Sequence, residues 1–518
     1  MYPIAWAVRS EEILSGVLSF LVFVFMCLNR MEDIHQKKGL HLDEVLSIII
    51  SDCNGFGYQI AYEEEKVHTG REVKKQSLWN NASVTDALSD VKRLYLDNRD
   101  RPHTNLYYSC FRLWFTGMDT ANLREIIEHG CLLNLVFFTL SFLFMHKLLQ
   151  HLLSDQRIIP FTLLLGFSNI GAISNSLLLR PYQLQETLLI AFTYSFVRCN
   201  EKVDRREILD GQCLYQLILA TGLTMLSGYF ACIYVLMMFW ILVLKSVREG
   251  PRDNVTVICA ALLVAILLAR TLYQGFFYGF SCGRAGEAYK KFAHKVFWDN
   301  LRTSMNAFQK IIGCTLYDLR ILLFTAVCAG YVLILDRRSY SVPIVFLVAF
   351  IWSFLCILIA PFKELRYIMP CFPIMSSISP IMIVDCQKWI RYIFLPIMLL
   401  FLKGPWVPGA LLLHCYPDQQ NFVYFLEQNK NTPILVLADQ AWKCSYILHL
   451  FCDEQRYEFP RSLESLNRKL MKYDSAIVFI SDYYNIAEWE AEISKNFFVE
   501  KIKKRECFMV YRVQGIAL

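Results

Sequence analysis

The chain reads as an α-helical polytopic membrane protein that carries a small C-terminal α/β domain. Three observations predict this class. Of 518 residues, 55% are hydrophobic and only 19% are charged, well above the apolar share of a soluble domain. Apolar windows of about 20 residues, the length a helix needs to cross a bilayer, recur up to residue 402. Beyond them the pattern changes to short β-branched runs separated by helical stretches.

The windows centre on Phe20, Phe142, Phe167, Phe192, Leu219, Met237, Val264, Ala326, Phe350, Ser376 and Pro396, which predicts about 11 transmembrane helices. The first follows a short head with one arginine and lacks a small-residue cleavage site, so it is expected to stay as a span. The fourth and fifth are short, and "LTMLSGYF" (223–230) is expected to turn between the fifth and sixth. Lysine and arginine gather in the loops at 157, 202–206, 245–252, 337–338 and 388–391, against chiefly Arg180, Lys363 and Arg366 on the other side. With a cytoplasmic N-terminus this satisfies the positive-inside rule, and an odd number of spans puts the C-terminal domain outside.

Two domains are expected: residues 1–402, including outer loops 30–128 and 276–318, and an extracytoplasmic α/β domain over 403–518. In the second loop "YKKFAHKVFWDNLRTSMNAFQKIIG" alternates basic and apolar residues at helical spacing, as an interfacial helix does. In the tail "TPILVLAD", "DSAIVFISD" and "ECFMVYRV" read as buried strands.

The net charge is +6, but the basic residues are scattered and form no face with interleaved aromatics, which argues against nucleic acid. Most of the 18 cysteines lie in apolar runs, where a thiol is a small hydrophobe. No C-x-x-C pair occurs, so zinc has no support. Cys53, Cys110, Cys415, Cys444, Cys452 and Cys507 fall in hydrophilic stretches, and their pairing is left open. Asn81 begins an N-x-S sequon that only a eukaryotic lumen would use.

Four stretches carry chemistry. "GLHLDEVLSI" holds adjacent carboxylates, Asp43 and Glu44, beside the first span; acids there are costly unless solvated or used, although an aspartate also serves simply to cap a helix. "DNRDRPHTNLYYSCFRLWFTG" (97–117) opens on a turn and continues as an amphipathic helix, with His103 either a solvated loop residue or a participant in a site. "NSLLLRPYQLQETLL" puts Arg180 at the outer end of the third span. "APFKELRYIMPCFPIM" puts Lys363 and Arg366 at the outer end of the ninth. Each cation alone could snorkel to head groups; converging, they would bind a phosphate.

In order and sidedness these segments resemble the GT-C superfamily of membrane glycosyltransferases, in the branch of protein O-mannosyltransferases and the lipid A aminoarabinose transferase. "HLDEVLSI" resembles its D-E motif after span one and "HTNLYYSCFRLWF" its H-P-P-L-Y-Y segment. "LLLRPYQLQ" is similar to its R-P-Y segment, and "KELRYIMPCFP" to R-Y-x-x-P-x-x-P. Thr104 and Asn105 replace the two prolines of the family pattern. The resemblance implies transfer of a sugar from a polyprenyl-phosphate carrier to an acceptor hydroxyl on the extracytoplasmic face, with inversion. Carried over, Asp43 is the catalytic base and Glu44 its partner, which orients Asp43, contacts the acceptor, or does neither.

Arg180, Lys363 and Arg366 are expected to clamp the donor phosphate, and His103, Tyr107, Tyr182 and Tyr367 to contact substrate. A single base suffices because phosphate leaves without protonation, unlike the paired carboxylates of glycoside hydrolases. No cofactor or metal is expected, although a divalent cation would fit if Asp43, Glu44, Asp97 and Asp100 met in space. The expected partners are the lipid-linked sugar, a glycan, lipid or protein acceptor, and membrane lipids; the expected location is a bacterial inner membrane. Two rivals are weighed. A membrane transporter would place ions near mid-bilayer and show paired half-repeats, whereas these charges sit at helix ends. A polysaccharide polymerase or ligase would use similar donors, but the D-E loop favours transfer of one sugar.

Overall fold

The computed structural model describes residues 2–52, 64, 66–78, 83–98, 103–118, 122–153, 155–281, 283–290, 294–316, 319–335, 341–384, 417–505 and 507–515. The eleventh expected span about Pro396, the basic loops at 337–338 and 388–391, and Cys53, Asn81, Asp100 and Cys415 lie outside the described residues. The chain divides into two compact units: Met1–His35, Tyr95–Tyr107 and Cys131–Leu413 form the first, and Gln36–Leu94, Tyr108–Gly130 and His414–Leu518 the second. The sequence boundary at residue 402 kept the whole first outer loop with the membrane helices; in the structure much of that loop clusters with the tail.

The first unit is helical. Every expected window except the eleventh coincides with a helix: α1 (Tyr2–Gln36), then α6 (Leu123–Leu152), α7 (Ile159–Phe167) with α8 (Ile170–Leu177), α9 (Tyr182–Asp204), α10 (Gly211–Met225), α11 (Tyr229–Glu249), α12 (Arg252–Leu272), α15 (Leu319–Leu335), α16 (Ser341–Ile359) and α17 (Phe372–Val384). The basic amphipathic stretch is helical as well, as α13 (Gly283–Lys290) and α14 (His294–Thr315). The turn between α10 and α11 falls where "LTMLSGYF" puts it.

Length and apolarity single out fewer helices than the expected eleven, whose last window lies outside the described residues. Among the described residues five helices are long and apolar enough to cross a membrane, and seven if each of two bent pairs is one span. The reasons are local. Helix α10 has 15 residues, short of a bilayer's thickness, and the described part of α17 has 13 with Pro380 inside. Helix α9 carries Glu186, Arg198, Glu201, Lys202 and Asp204. The third window is broken by 65° between α7 and α8, because Asn169 starts a new helix: its side chain accepts the Ala172 N–H at 2.8 Å and donates to the Gly166 carbonyl at 2.8 Å. Gly166 and Gly171 let the break lie against α17; a Cβ there would come 2.2 Å from Ser377 Oγ and 2.3 Å from Phe372, the close approach that small residues permit between membrane helices.

The second unit is built on a six-stranded mixed sheet: β1 (His68–Thr69), β2 (Ile434–Leu437), β3 (Arg456–Glu458), β4 (Ser475–Ser481), β5 (Phe497–Arg505) and β6 (Phe508–Gly515), in the order β1-β3-β2-β4-β6-β5. The central β2 and β4 are parallel, with Ile434 opposite Ile477 and Leu437 opposite Ile480. Both are buried throughout their apolar cores, which explains their unbroken hydrophobic runs. The three strands expected in the tail are present as β2, β4 and β6. Strand β1 comes from the first outer loop and pairs antiparallel with β3, His68 opposite Tyr457. Behind it Thr69 and Glu72 form a reciprocal capping box on helix α3 (Gly70–Ser77), and the Gly70 and Arg71 N–H groups donate to Gln455 and Asp453 carbonyls at 3.0 Å each.

This edge is also held by charge. Lys74 Nζ meets Asp453 Oδ1, and Arg71 Nε lies 3.6 Å from Asp453 Oδ2. Burial alone would raise the Asp453 carboxyl, but these cations outweigh it and hold it below the ordinary carboxylate value. A depressed folded-state value contributes stability above the unfolded value of about 3.9 and loses it as pH falls through the folded one. Asp453→Asn is therefore expected to lower the unfolding temperature of the second unit at pH 6, with the difference shrinking as pH falls through the folded-state value. The effect stays under about 1 kcal/mol because the pair is partly solvated; thermal melts across pH check it.

Candidate active site

The two acids at 43 and 44 have separate fates, and helix geometry explains why. Helix α2 (Leu42–Asp52) begins one residue after His41, so Glu44 is its third residue. A glutamate at that position reaches back to the N-cap amide, half of a capping box: the His41 N–H donates to Glu44 Oε2 at 2.6 Å. Lys37 completes the arrangement. Its ammonium lies 2.9 Å from Oε1 and 3.2 Å from Oε2, and both side chains are fully buried at 0% exposure. The Lys37 carbonyl in turn accepts from Arg124 Nη1 at 3.3 Å. Glu44 thus closes a buried ion pair that fixes the start of α2.

Asp43 points elsewhere. Its side chain keeps 21% exposure and its carboxylate lies 3.4 Å from His41 Nδ1, while the Asp43 N–H donates to that same ring nitrogen at 3.2 Å. A carboxylate in the first turn also gains from the helix dipole, which favours the ionised form there. Asp43 is therefore a partly exposed acid on a helix start held by Glu44.

In the first unit, Arg180 sits in the turn joining α8 to α9. It is 3% exposed, and its Nη2 lies 2.7 Å from His103 Nε2. A guanidinium only donates, so Nε2 accepts, and His103 carries its proton on Nδ1. His103 thus aims Arg180. The departures at 104 and 105 serve the same end: Thr104 Oγ1 donates to the Leu226 carbonyl and Asn105 Nδ2 to the Leu272 carbonyl at 3.2 Å, both at helix C-termini where carbonyls lack helical partners. Asn98 Nδ2 holds the His103 and Thr104 carbonyls at 3.1 and 3.0 Å. Arg180 also immediately precedes the N-terminus of the 23-residue helix α9, where partial positive charge favours an anion.

Beneath this turn lies a buried polar network. Arg30 donates to Ser176 Oγ and the Phe167 carbonyl at 3.0 Å each, with its guanidinium 3.9 Å over the Phe138 ring. Ser176 bonds Gln183 at 2.9 Å, Gln183 bonds Glu186 at 2.8 Å, and Asn175 bonds the other Glu186 oxygen at 2.6 Å and the Met369 carbonyl at 3.3 Å. It fixes both helices that flank Arg180 and ties them to the segment after Arg366.

That segment brings the other two cations. Arg366 belongs to the 3₁₀ turn Leu365–Tyr367, which packs on α8, while the next turn, Met369–Cys371, packs on α8 and α9. Its Nε lies 2.8 Å from Glu364 Oε2, and its guanidinium 5.5 Å from the Tyr367 ring. The Lys363 ammonium donates to the Ile357, Leu358 and Ala360 carbonyls at 2.6, 3.1 and 3.3 Å, capping the C-terminus of α16. Of the tyrosines, Tyr107 is 1% exposed with its hydroxyl 3.5 Å from Asn134 Oδ1, a packing position. Tyr182 is buried in the helical core as the first residue of α9. Tyr367 is half-buried and stacks edge-on against Phe230 at 5.6 Å. Among the described residues no group of three or more His, Cys, Asp or Glu is gathered as a metal ion would need.

Sequence reading missed Lys37 and His41. The signal for Lys37 was its cationic partner position seven residues before a glutamate at a helix start; nothing local marks which charge becomes buried.

No protein-family model matches the chain, and no curated protein sequence matches it. Solved structures do. ArnT from Cupriavidus metallidurans in its apo state is similar at a TM-score of 0.52 and 9% identity, with 98% of each chain covered. ArnT from the same organism bound to undecaprenyl phosphate gives 0.48 and 9% over the same share. The apo oligosaccharyltransferase of Archaeoglobus fulgidus gives 0.49 and 10%, over 93% of this chain and 73% of that one. The chain shares its fold with ArnT in the apo state, and among the described residues five helices are long and apolar enough to cross a membrane.

Removing one member of a buried ion pair leaves an uncompensated charge, at a cost of about 3–5 kcal/mol. Lys37→Met is expected to destabilise the second unit by that order, and Lys37→Met with Glu44→Gln to recover part of it; unfolding in detergent with both variants measures this.

Proposed function

We propose that the protein transfers a sugar from a polyprenyl-phosphate carrier to an acceptor hydroxyl at the extracytoplasmic face of a bacterial inner membrane, with inversion. The observation that carries the reading is the division of labour at the D-E motif: Glu44 is consumed by a buried ion pair while Asp43 stays partly solvated at a fixed helix start. The fold shared with ArnT supports the reaction class, and a structure of that protein holds undecaprenyl phosphate.

In this reaction Asp43 takes the proton of the acceptor hydroxyl as its oxygen attacks the anomeric carbon. The bond from that carbon to the carrier phosphate breaks, and polyprenyl phosphate departs with the electron pair. Attack from the face opposite the phosphate inverts the anomeric centre. A single base is enough because the phosphate needs no proton to leave.

Charge growing on the phosphate is the second demand, and electrostatic stabilisation is its answer. Arg180, aimed by His103 and backed by the α9 dipole, is the principal cation in this proposal, with Arg366 as the second. Lys363 supports them by capping α16 and shaping the segment that bears Arg366. Tyr367 flanks Arg366 and contacts substrate; Tyr107 and Tyr182 hold the helices that frame the turn. Glu44 positions Asp43 through the start of α2. The acceptor is a glycan, lipid or protein of the cell envelope.

Two outcomes follow for transfer assayed with polyprenyl-phosphate sugars in reconstituted membranes. Asp43→Asn is expected to fold normally and lose on the order of 10²–10⁴ in kcat, the usual worth of a general base; unaltered transfer by this variant removes the assignment. Arg180→Ala is expected to lose on the order of 10² in kcat/KM for the carrier, and His103→Ala to lose less in the same parameter; unchanged carrier use by Arg180→Ala contradicts the clamp.

A further inference from the structure

The C-terminal domain has no part in the proposed chemistry, yet one of its side chains grips the segment that leads to Asp43. We infer that Gln419 is a positioning residue for the catalytic base, and that the C-terminal domain acts through it to set where α2 begins. The inference rests on the reading of Asp43 given above.

Gln419 lies in the helix Pro417–Gln428 and is 3% exposed. Its Oε1 accepts the Leu40 N–H at 3.0 Å, and its Nε2 donates to the Leu40 carbonyl at 2.7 Å. One primary amide thus satisfies both backbone groups of a single residue, as a neighbouring strand would. Leu40 precedes Asp43 by three positions and is itself 1% exposed. Both of its backbone groups are cut off from water, so each unmade bond would carry a full desolvation cost.

The amide has one workable orientation. Gln419 Oε1 also lies 3.2 Å from His449 Nε2. His449 is buried, and its value is pushed down to about 3 by burial, with Arg505 and Lys74 adding repulsion. The ring is therefore neutral and donates from Nε2 to the amide oxygen. Rotating the amide would turn its NH2 toward two donors. A second feature requires the same approach from the other side: a Cβ on Gly39 would lie 2.1 Å from Gln419 Oε1, so glycine at 39 lets the amide reach the chain. The 3₁₀ turn Ala441–Tyr446 of the same domain packs on α2 itself. Lys37 and Glu44 lock the helix start from within; Gln419 sets the position of the loop that enters it.

Three variants and two readouts test this. Gln419→Leu keeps the volume and removes both bonds; Gly39→Ala pushes the amide away without touching it; Leu466→Ala, in the buried core of the sheet, destabilises the domain away from the contact. With the carrier as varied substrate, Gln419→Leu and Gly39→Ala are expected to lower kcat about 10²-fold, the order a misplacement of about 1 Å produces, while KM for the carrier stays within about two-fold. Leu466→Ala, assayed at a temperature where it is folded, is expected to keep kcat. Amide hydrogen exchange over His41–Val45 is expected to quicken in the first two variants and not in the third, a readout independent of turnover.

Wild-type kcat and unchanged exchange in folded Gln419→Leu overturn the inference, as does an equal loss of kcat in Leu466→Ala. If Gln419→Leu does not fold, Gly39→Ala decides by the same two readouts. Full transfer by Asp43→Asn would instead defeat the underlying reading; the exchange measurement still decides whether Gln419 positions the loop.

Discussion

A glutamate sealed from water must be neutralised within hydrogen-bond reach, and the structure meets that demand at Glu44 with Lys37 and the His41 amide. Removing such a partner costs far more than the pair itself contributes, so the start of α2 has one geometry. That constraint separates two chemically similar neighbours. Glu44 is held inside as structure, and Asp43, one residue earlier and rotated about 100° around the helix, keeps contact with water and with His41.

The same logic operates among the membrane helices. Arg30, Glu186, Gln183, Asn175 and Ser176 are all buried, and charges at such depth persist only when paired and hydrogen-bonded. Their network has little freedom to rearrange, because each bond removed would leave a polar group in an apolar surround. It therefore gives the α8–α9 turn a fixed shape. Arg180 rests on that turn with neutral His103 as its acceptor, a cation oriented in advance of any ligand. Preorganised charge of this kind stabilises a developing anion without reorganising when it appears.

Much of this was legible in the sequence, and the limits have physical causes. Apolar windows located the helices because burial in lipid demands long hydrophobic runs, but they do not fix each helix's length: α10, at 15 residues, is shorter than a full span. Strands β2, β4 and β6 announced themselves through buried apolar runs. Strand β5, "FFVEKIKKR", is mostly exposed at the sheet edge, and lysine-rich edges hide strand character while guarding against pairing with other chains. Strand β1 could not be read at all: two residues from a distant loop become a strand only because β3 offers them an edge. Among the candidate site residues, Asp43, Arg180 and His103 are singled out by position in their motifs. The sequence does not show that the Lys363 ammonium also donates to helix carbonyls, because those carbonyls are brought to it only by the end of α16.

The central claim is a displacement at the anomeric carbon driven by one carboxylate, with phosphate as the leaving group. Its most direct measurement is the stoichiometry and stereochemistry of a single turnover in reconstituted membranes, followed by phosphorus and proton NMR with an isotopically labelled polyprenyl-phosphate sugar. The account predicts one polyprenyl phosphate released for each sugar transferred, with the opposite anomeric configuration in the product. Retention of configuration, or carrier phosphate released with no glycosylated product, would contradict it.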